Sequence, residues 1–296
     1  MASLKDIQRK IGGVKKTKQI TKAMNMVAAS RLRNAQLRME GFRPYAAKFE
    51  EVLGSLAQSS ADQNNPLLTS RQEVRKVHIV LCTSDRGLCG GFNTNLIEKA
   101  DVLSREMKDK GREVSFTAFG KKGRDWLRRE KLETVDQHIG VIGGTIGFGV
   151  AANAGRALSN AYLGNVYDEV VIVYAEFVSM AKQTPVVKQL LPIPPLVKEV
   201  QAVDEDAPYL PEHICEPSPE ALLGEILPKS VDIQIYRALL ETSTSEHAAR
   251  MLAMDNATKA CNDMIDNLTL AYNKARQASI TAELMDIVGG AEALKG

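Results

Sequence analysis

The sequence contains few aromatic residues and few cysteines. Phe, Tyr and Trp make up 5% of its 296 residues, and there are four cysteines and four histidines. The cysteines form no CxxC pair and have no zinc-finger spacing, so neither a disulfide framework nor a structural zinc site is expected. The histidines are scattered, and none pairs with another ligand type at a metal-binding spacing. We therefore expect reduced thiols, a cytosolic protein, and neither metal nor cofactor.

Long apolar runs and a strong net charge are also missing. No apolar stretch approaches the roughly 20 residues that span a bilayer, and the opening MASLKDIQRK lacks the apolar segment of a secretory signal. The formal net charge is +2, so charge alone excludes neither nucleic acid nor an acidic partner. These absences predict a chain that does not insert directly into a membrane.

Two glycine-rich segments are candidates for phosphate binding, and neither has the full pattern. TSDRGLCGGFN (83–93) lies between a predicted strand and a predicted helix, where backbone N–H groups can bind phosphate, but it lacks the Gly-Lys-Ser/Thr of a P-loop. GFGVAA (147–152) fits G-x-G-x-x-A without a convincing preceding strand. We predict a tight turn in the first segment, a loop entering a helix in the second, and no catalytic residue in either.

Two further features have a functional and a structural interpretation. Cys89 could be a reactive thiol at a helix start, but without a nearby His or second Cys a small buried side chain is favoured. The basic residues of 15–38 could bind an acidic surface or a membrane, although such residues usually form a solvated helix face.

The first 58 residues predict one helix with the heptad rhythm of a coiled coil. Pro44 should bend or weaken it locally. The predicted seam consists of Leu4, Ile7, Ile11, Val14, Thr21, Met24, Ala28, Ala35, Phe42, Tyr45, Phe49, Val52 and Leu56.

The middle of the chain alternates strands and helices. Strand patterns lie at 74–84, at EVSFTAFG, at ETVDQHI and at DEVVIVYAEF, followed by the extended segment TPVVKQLLPIPP. Alternation of this kind predicts a small, mostly parallel sheet covered by helices. Polar stretches, SSADQNNPLL before it and 204–220 after it, separate this part from the two ends.

From about residue 218 to about 288 the chain again reads as helix, roughly 100 Å long at 1.5 Å per residue, with a kink expected at Pro228. Its predicted seam consists of Leu222, Ile226, Ile233, Tyr236, Leu240, His247, Arg250, Met254, Ala257, Cys261, Met264, Leu268, Ala271, Ala275, Ala278, Ala282 and Met285. The two end helices should pack antiparallel, and the longer C-terminal one should project past its partner.

The predicted fold class is therefore α/β plus a long antiparallel coiled coil. Residues 1–58 and 218–290 form the coiled coil as one shaft, and residues 74–203 form a Rossmann-like α/β domain inserted between them.

Five segments closely resemble the gamma subunits of F-type ATP synthases, in particular the bacterial type. They are KDIQRKI, TKAMNMVAASRLR, SDRGLCGGFN, SEHAARMLAMDNAT and LAYNKARQASITAELMDIVGGAEAL. The resemblance implies the same fold, no catalytic residue, and a role as the rotor of the central stalk. It further implies alpha, beta and epsilon subunits and the c-ring as partners, without nucleic acid. The location it implies is the cytoplasmic face of the bacterial plasma membrane.

The resemblance also implies subunit contacts for single residues. Arg276, Gln277, Thr281 and Glu283 correspond to family residues that meet a loop of one beta subunit, called the catch. Met24 and Lys22 match the family's other contact motif with the catalytic head, and their helix is expected to run opposite this part of the tail. Glu216 matches an acidic position near the c-ring and epsilon contact. The alanines at 275, 278 and 282 are interpreted as keeping the helix pair slim.

Two other functions are compatible with parts of the sequence. A free-standing coiled-coil scaffold with a Rossmann-like head would favour large leucines along the whole seam, and the small residues at 271–282 argue against it. A nucleotide-dependent enzyme would need a phosphate loop and an acidic ribose ligand, and neither is convincing.

Overall fold

A computed structural model describes residues 3–59, 65–194 and 219–293. Contacts within the chain divide it into two compact units. The paired-helix unit comprises residues 1–29 and 250–296, and the sheet unit comprises residues 30–249. The stretch 204–218, predicted as part of a polar loop, and residues 60–64 of the other predicted loop lie outside the described residues.

Ten elements follow one another along the described residues. They are α1 (Leu4–Ser59), β1 (Lys76–Cys82), α2 (Phe92–Asp109), β2 (Glu113–Phe119), α3 (Lys121–Arg129), β3 (Thr134–His138), α4 (Phe148–Leu163), β4 (Glu169–Phe177), β5 (Gln183–Leu191) and α5 (Pro219–Ala293). The predicted fold class, long terminal helices with an α/β domain between them in the chain, is confirmed.

The five strands form one sheet in the order β3-β2-β1-β4-β5. The first four strands run parallel, and β5 pairs antiparallel with β4. β1 is buried from its second residue onward, as expected for a parallel strand covered on both faces. Alternate side chains enter two apolar clusters: Ile79 and Leu81 pack with α2 and α3, while Val80 and Cys82 pack with α4 and α5. The mostly parallel sheet predicted from the alternating pattern is therefore confirmed.

Within the paired-helix unit α1 and α5 run antiparallel. The hydroxyls of Thr21 and Thr258 lie 2.8 Å apart, and the Asn25 amide donates to the carbonyl oxygen of Met251 at 2.8 Å. Contacts therefore move toward the C-terminus of α5 as they move toward the N-terminus of α1. Continued at this register, Leu4 lies near residue 275 of α5.

Burial along α1 follows the heptad more strictly than predicted. The prediction was wrong for Tyr45, which is 55% exposed, because the neighbouring Ala46 is the buried residue. It also missed Asn25, which is half-buried and held by a hydrogen bond rather than by apolar contact. The residues buried or half-buried in this repeat are Leu4, Ile7, Ile11, Val14, Lys18, Thr21, Asn25, Ala28, Leu32, Ala35, Met39, Phe42, Ala46, Phe49, Leu53 and Leu56.

The seam of α5 in the paired-helix unit also differs from the prediction. Its less exposed residues include Met254, Thr258, Cys261, Ile265, Leu268, Tyr272, Ala275 and Ser279. Met264, Ala271, Ala278, Ala282 and Met285 were placed in the seam, but they are exposed. The register turns Met264, Ala271 and Ala278 away from α1. Ala282 and Met285 are exposed because α1 begins at Leu4 and leaves the described residues after 279 uncovered.

One titratable side chain is enclosed in the sheet. His78 of β1 is 0% exposed, and its Nδ1 and Nε2 atoms lie 2.8 Å and 2.9 Å from the hydroxyls of Ser115 and Thr117 on β2. Its ring stacks on that of Tyr167 at 4.3 Å. Burial lowers the pKa of His78 to about 4, so the native protein holds a neutral imidazole here.

Acidification should destabilise the protein through His78. In the unfolded chain the ring takes up a proton below about pH 6.5. The contribution of His78 to stability is therefore complete above that pH and falls until about pH 4, where the native ring protonates too. The loss should approach about 3 kcal/mol. The free energy of unfolding in urea is measured for wild type and His78→Gln across this pH range. It should depend less steeply on pH in the variant. Equal slopes would contradict the role of His78 in the acid sensitivity.

Candidate functional site

The residues predicted to meet the beta subunit lie near the C-terminal end of α5, two of them before Ser279 and two in the uncovered part after it. Arg276, Gln277, Thr281 and Glu283 are all exposed. One contact within the group's own helix is visible, the Ser279 hydroxyl donating to Oε1 of Glu283 at 3.2 Å. All four polar side chains are thus available at the surface. Thr281 and Glu283 also lie in the part of α5 that no described residue of α1 covers.

The other predicted contact residues lie far from this group along the helix pair. Lys22 is exposed and Met24 is half-buried. Both follow Thr21, whose hydroxyl contacts that of Thr258. Thr258 precedes Arg276 by 18 residues, about 27 Å along a helix. The helix of Lys22 and Met24 does run opposite this part of the tail, through its N-terminal end near Leu4. The antiparallel register places Met24 itself close to the start of the unit's α5 segment. Glu216, the predicted c-ring and epsilon contact, lies outside the described residues.

The uncovered end of α5 also exposes apolar side chains that the predicted seam did not include. Ile280, Leu284 and Ile287 are 49%, 56% and 68% exposed. Their spacing of four and then three residues places them on one helix face. This spacing was the available signal, but Ala278 and Ala282 were given the packing role instead. An exposed apolar face of this kind is typical of a surface that meets another protein.

In the glycine-rich segment after β1, the side chain of Asp85 accepts hydrogen bonds from three backbone N–H groups. Oδ1 of Asp85 accepts hydrogen bonds from the backbone N–H groups of Lys121 and Gly140, both at 3.0 Å, and Oδ2 accepts one from Gly143 at 3.4 Å. Lys121 is the first residue of α3, so the carboxylate also interacts favourably with that helix dipole. A phosphate at this position would meet an anion already bound to the donors, which supports the predicted structural turn.

Close packing at this edge of the sheet explains part of the glycine content. Gly120 has φ +96°, and a Cβ atom on it would lie 2.0 Å from the carbonyl oxygen of Thr83. The neighbouring Asn93 accepts hydrogen bonds from the backbone and hydroxyl of Ser84 and donates to Sγ of Cys89 at 3.1 Å. Cys89 is 2% exposed, in agreement with the favoured interpretation as a buried residue.

Residues 140–147, which we call the edge loop, are held by both terminal helices within the sheet unit. Ser243 of α5 donates its hydroxyl to the carbonyl oxygen of Ile142 at 2.9 Å, and the Tyr236 hydroxyl donates to Ile146 at 3.4 Å. From α1, Arg31 donates to the carbonyl oxygen of Gly143 and Arg38 to the hydroxyl of Thr145, both at 3.4 Å.

The α5 segment beside the edge loop is polar and yet buried. Thr242, Thr244 and Ser245 are 0% exposed. Thr244 donates to the carbonyl oxygen of Leu240 at 2.9 Å, and Ser245 donates to that of Ala175 on β4 at 3.3 Å. Hydrogen bonds from a helix to a strand and a loop fix the rotation of the helix, since each bond requires one direction.

Neither a membrane-spanning helix nor a metal cluster is found among the described residues. None of the helices in the described parts of the chain is long and apolar enough to cross a membrane. Among residues 3–59, 65–194 and 219–293, no three His, Cys, Asp or Glu side chains are grouped so that they could hold a metal ion.

The fold defines a class of protein in which two long terminal helices precede and follow a small α/β sheet. A family model for ATP synthase matches residues 3–294. The ATP synthase gamma chain of Desulfosudis oleivorans is 63% identical over all of both chains, and that of Desulforapulum autotrophicum is 59% identical over 99% of this chain and 100% of its own length. The chain belongs to the family of ATP synthase gamma chains.

Solved structures have the same fold. A chain of the Tetrahymena thermophila mitochondrial ATP synthase central stalk and c-ring structure matches with a TM-score of 0.58 and 27% identity, over 80% of this chain and 99% of that one. A chain from the Euglena gracilis mitochondrial ATP synthase, in a structure of OSCP, F1 and the c-ring, matches with a TM-score of 0.66 and 20% identity, over 98% of this chain and 94% of that one.

Removing the carboxylate of Asp85 should loosen the edge of the sheet. Asp85→Ala leaves three backbone N–H groups without their acceptor, which costs about 1–3 kcal/mol. Asp85→Asn keeps one acceptor oxygen and should lose less. The control is Asp101→Ala, whose carboxylate pairs with the exposed Arg105 on the surface of α2 and should change stability by less than about 1 kcal/mol. Stability is measured as the urea concentration at the midpoint of unfolding. A decrease in Asp85→Ala no larger than that in Asp101→Ala would contradict the role of Asp85.

Proposed function

We propose that the chain is the rotor of the central stalk of a proton-translocating ATP synthase. The observation that carries the proposal is its 63% identity, over its whole length, to a gamma chain. Residues 1–58 and 218–290 act as one shaft, and residues 74–203 act as its foot. The shaft transmits torque between the membrane c-ring and the catalytic alpha and beta subunits, and the chain contributes no catalytic residue of its own.

The mechanism requires one asymmetric shaft among three equivalent catalytic sites. A shaft without threefold symmetry presents a different face to each beta subunit. A contact shifts a conformational equilibrium only through a difference in interaction with the two states. Each site is therefore held in a different conformation, and rotation exchanges the conformations in turn.

The C-terminal end of α5, from Arg276 onward, is proposed to provide the contact with the beta catch loop. Arg276, Gln277, Thr281 and Glu283 are exposed and polar, so each can exchange hydrogen bonds with a passing loop. A neutral hydrogen bond contributes about 1 kcal/mol net, and one to a charged group contributes about 1.5–3 kcal/mol. Bonds of this strength stabilise one rotational position of the shaft, and they are weak enough to break as the shaft turns.

The remaining contacts are proposed for the foot and for the start of the shaft. Lys22 and Met24 meet the catalytic head, and Glu216 meets the c-ring and the epsilon subunit. The complex then lies at the cytoplasmic face of the plasma membrane, with this chain peripheral to it. Each proton that crosses supplies about 2.3 kcal/mol per 100 mV, so the shaft must combine several proton steps for each ATP.

Reconstitution tests the rotor function. The chain is mixed with the alpha and beta subunits of the same organism, and multi-site ATP hydrolysis is compared with and without it. The wild-type chain should form a stable complex and raise turnover. Gln277→Leu and Thr281→Val should each lower turnover by up to about fivefold, since each removes one hydrogen bond worth about 1 kcal/mol.

Matched controls for these variants lie on the same helix. Asn267→Leu and Thr269→Val replace exposed residues of α5 outside the proposed contact, and their turnover should stay close to wild type. Hydrolysis that does not respond to the chain would favour the free-standing scaffold. If turnover falls equally in the variants and in the controls, the rotor function stands, but the proposed position of the catch contact is contradicted.

A further inference from the structure

A cleft in the sheet unit lies between α1, α5 and the edge loop, with a volume of about 240 Å³. Arg31 and Arg38 line it from α1, Ser243 and His247 from α5, and the backbone around Gly144 from the edge loop. The volume is below the roughly 300–1,000 Å³ of pockets that hold drug-sized ligands. The cleft therefore fits a small ion rather than a whole nucleotide.

The charge of the lining is positive. Arg31 and Arg38 are seven residues apart on α1, so both guanidinium groups lie on one helix face. Among the described residues that line the cleft, none is acidic. Two carboxylates lie behind the lining: Asp85 binds the N–H of Gly143, and Oε2 of Glu246 lies 3.3 Å from Nδ1 of His247.

The two arginines retain hydrogen-bonding capacity toward the cleft. Their contacts with Gly143 and Thr145 are both 3.4 Å, longer than the usual 2.7–3.2 Å. A guanidinium carries five N–H donors in a planar fork that matches the oxygens of a phosphate. Ala35, which lies between them on the helix, is small and leaves the space open.

We propose that this cleft binds a tetrahedral oxyanion, such as inorganic phosphate or sulfate, between the guanidinium groups of Arg31 and Arg38. The bound ion replaces the two long contacts by short charge-assisted hydrogen bonds. Because the walls belong to α1, α5 and the edge loop, the ion links all three. This inference does not depend on the rotor function, since it concerns the chain alone.

Binding is measured on the full chain by calorimetry and by thermal unfolding, with phosphate, sulfate or ATP added and chloride at matched ionic strength as the reference. Phosphate and sulfate should bind saturably and raise the unfolding midpoint as expected for a ligand of the native state. ATP should bind more weakly than phosphate if the free ion is the ligand. Tighter binding of ATP would reassign the site to the phosphates of a nucleotide and overturn the small-ion proposal.

Arg38→Gln should weaken phosphate binding by at least about tenfold, because it removes charge-assisted hydrogen bonds. Arg31→Gln provides a second, independent variant should the first fail to fold by circular dichroism. Arg33→Gln is the control, since it removes the same charge from an exposed position of α1 that does not line the cleft. Absence of saturable binding to wild type, or equal losses in Arg33→Gln and in the cleft variants, would overturn the proposal.

Discussion

The carboxylate of Asp85 is the contact on which the carboxyl edge of the sheet depends. It binds the first N–H of α3 and two N–H groups of the edge loop, so one side chain after β1 fixes the connections after β2 and β3. The edge loop in turn accepts hydrogen bonds from Arg31 on α1 and Ser243 on α5. The edge loop therefore adds hydrogen bonds from both terminal helices to the apolar contacts that these helices make with the sheet.

The two parts of α5 satisfy different physical demands. Within the sheet unit it is enclosed, and the hydroxyls of Ser243, Thr244 and Ser245 are bonded to the edge loop, to the helix's own backbone and to a strand. Buried polar groups without partners would be costly, so this segment tolerates few alternative rotations. At its C-terminal end the helix exposes both polar and apolar side chains. A firmly held segment and an uncovered end agree with the proposed role of a shaft that carries torque and releases its contacts.

Much of the fold could be predicted from the sequence because its signals are local and periodic. The strands β1, β2 and β4 are compact runs rich in apolar residues, and the helices at both ends have heptad spacing. The errors came from interactions that cross between helices. Asn25 was missed because a hydrogen bond, rather than an apolar contact, buries it. Ala282 was misplaced because the length of the partner helix decides what is covered. The role of Asp85 could not be predicted, since its three donors come from two later parts of the chain.

Rotation of the chain within its complex tests the central claim most directly. Lys108, exposed on α2, is replaced by cysteine, and a bead is attached there while the complex is anchored through its beta subunits. Native Cys82 and Cys89 are buried. Cys261, which is half-buried, and Cys215, which lies outside the described residues, are replaced by alanine. On addition of ATP the bead should turn in one direction, in steps that correspond to the three catalytic sites. A bead that stays still in a complex that hydrolyses ATP would contradict the account.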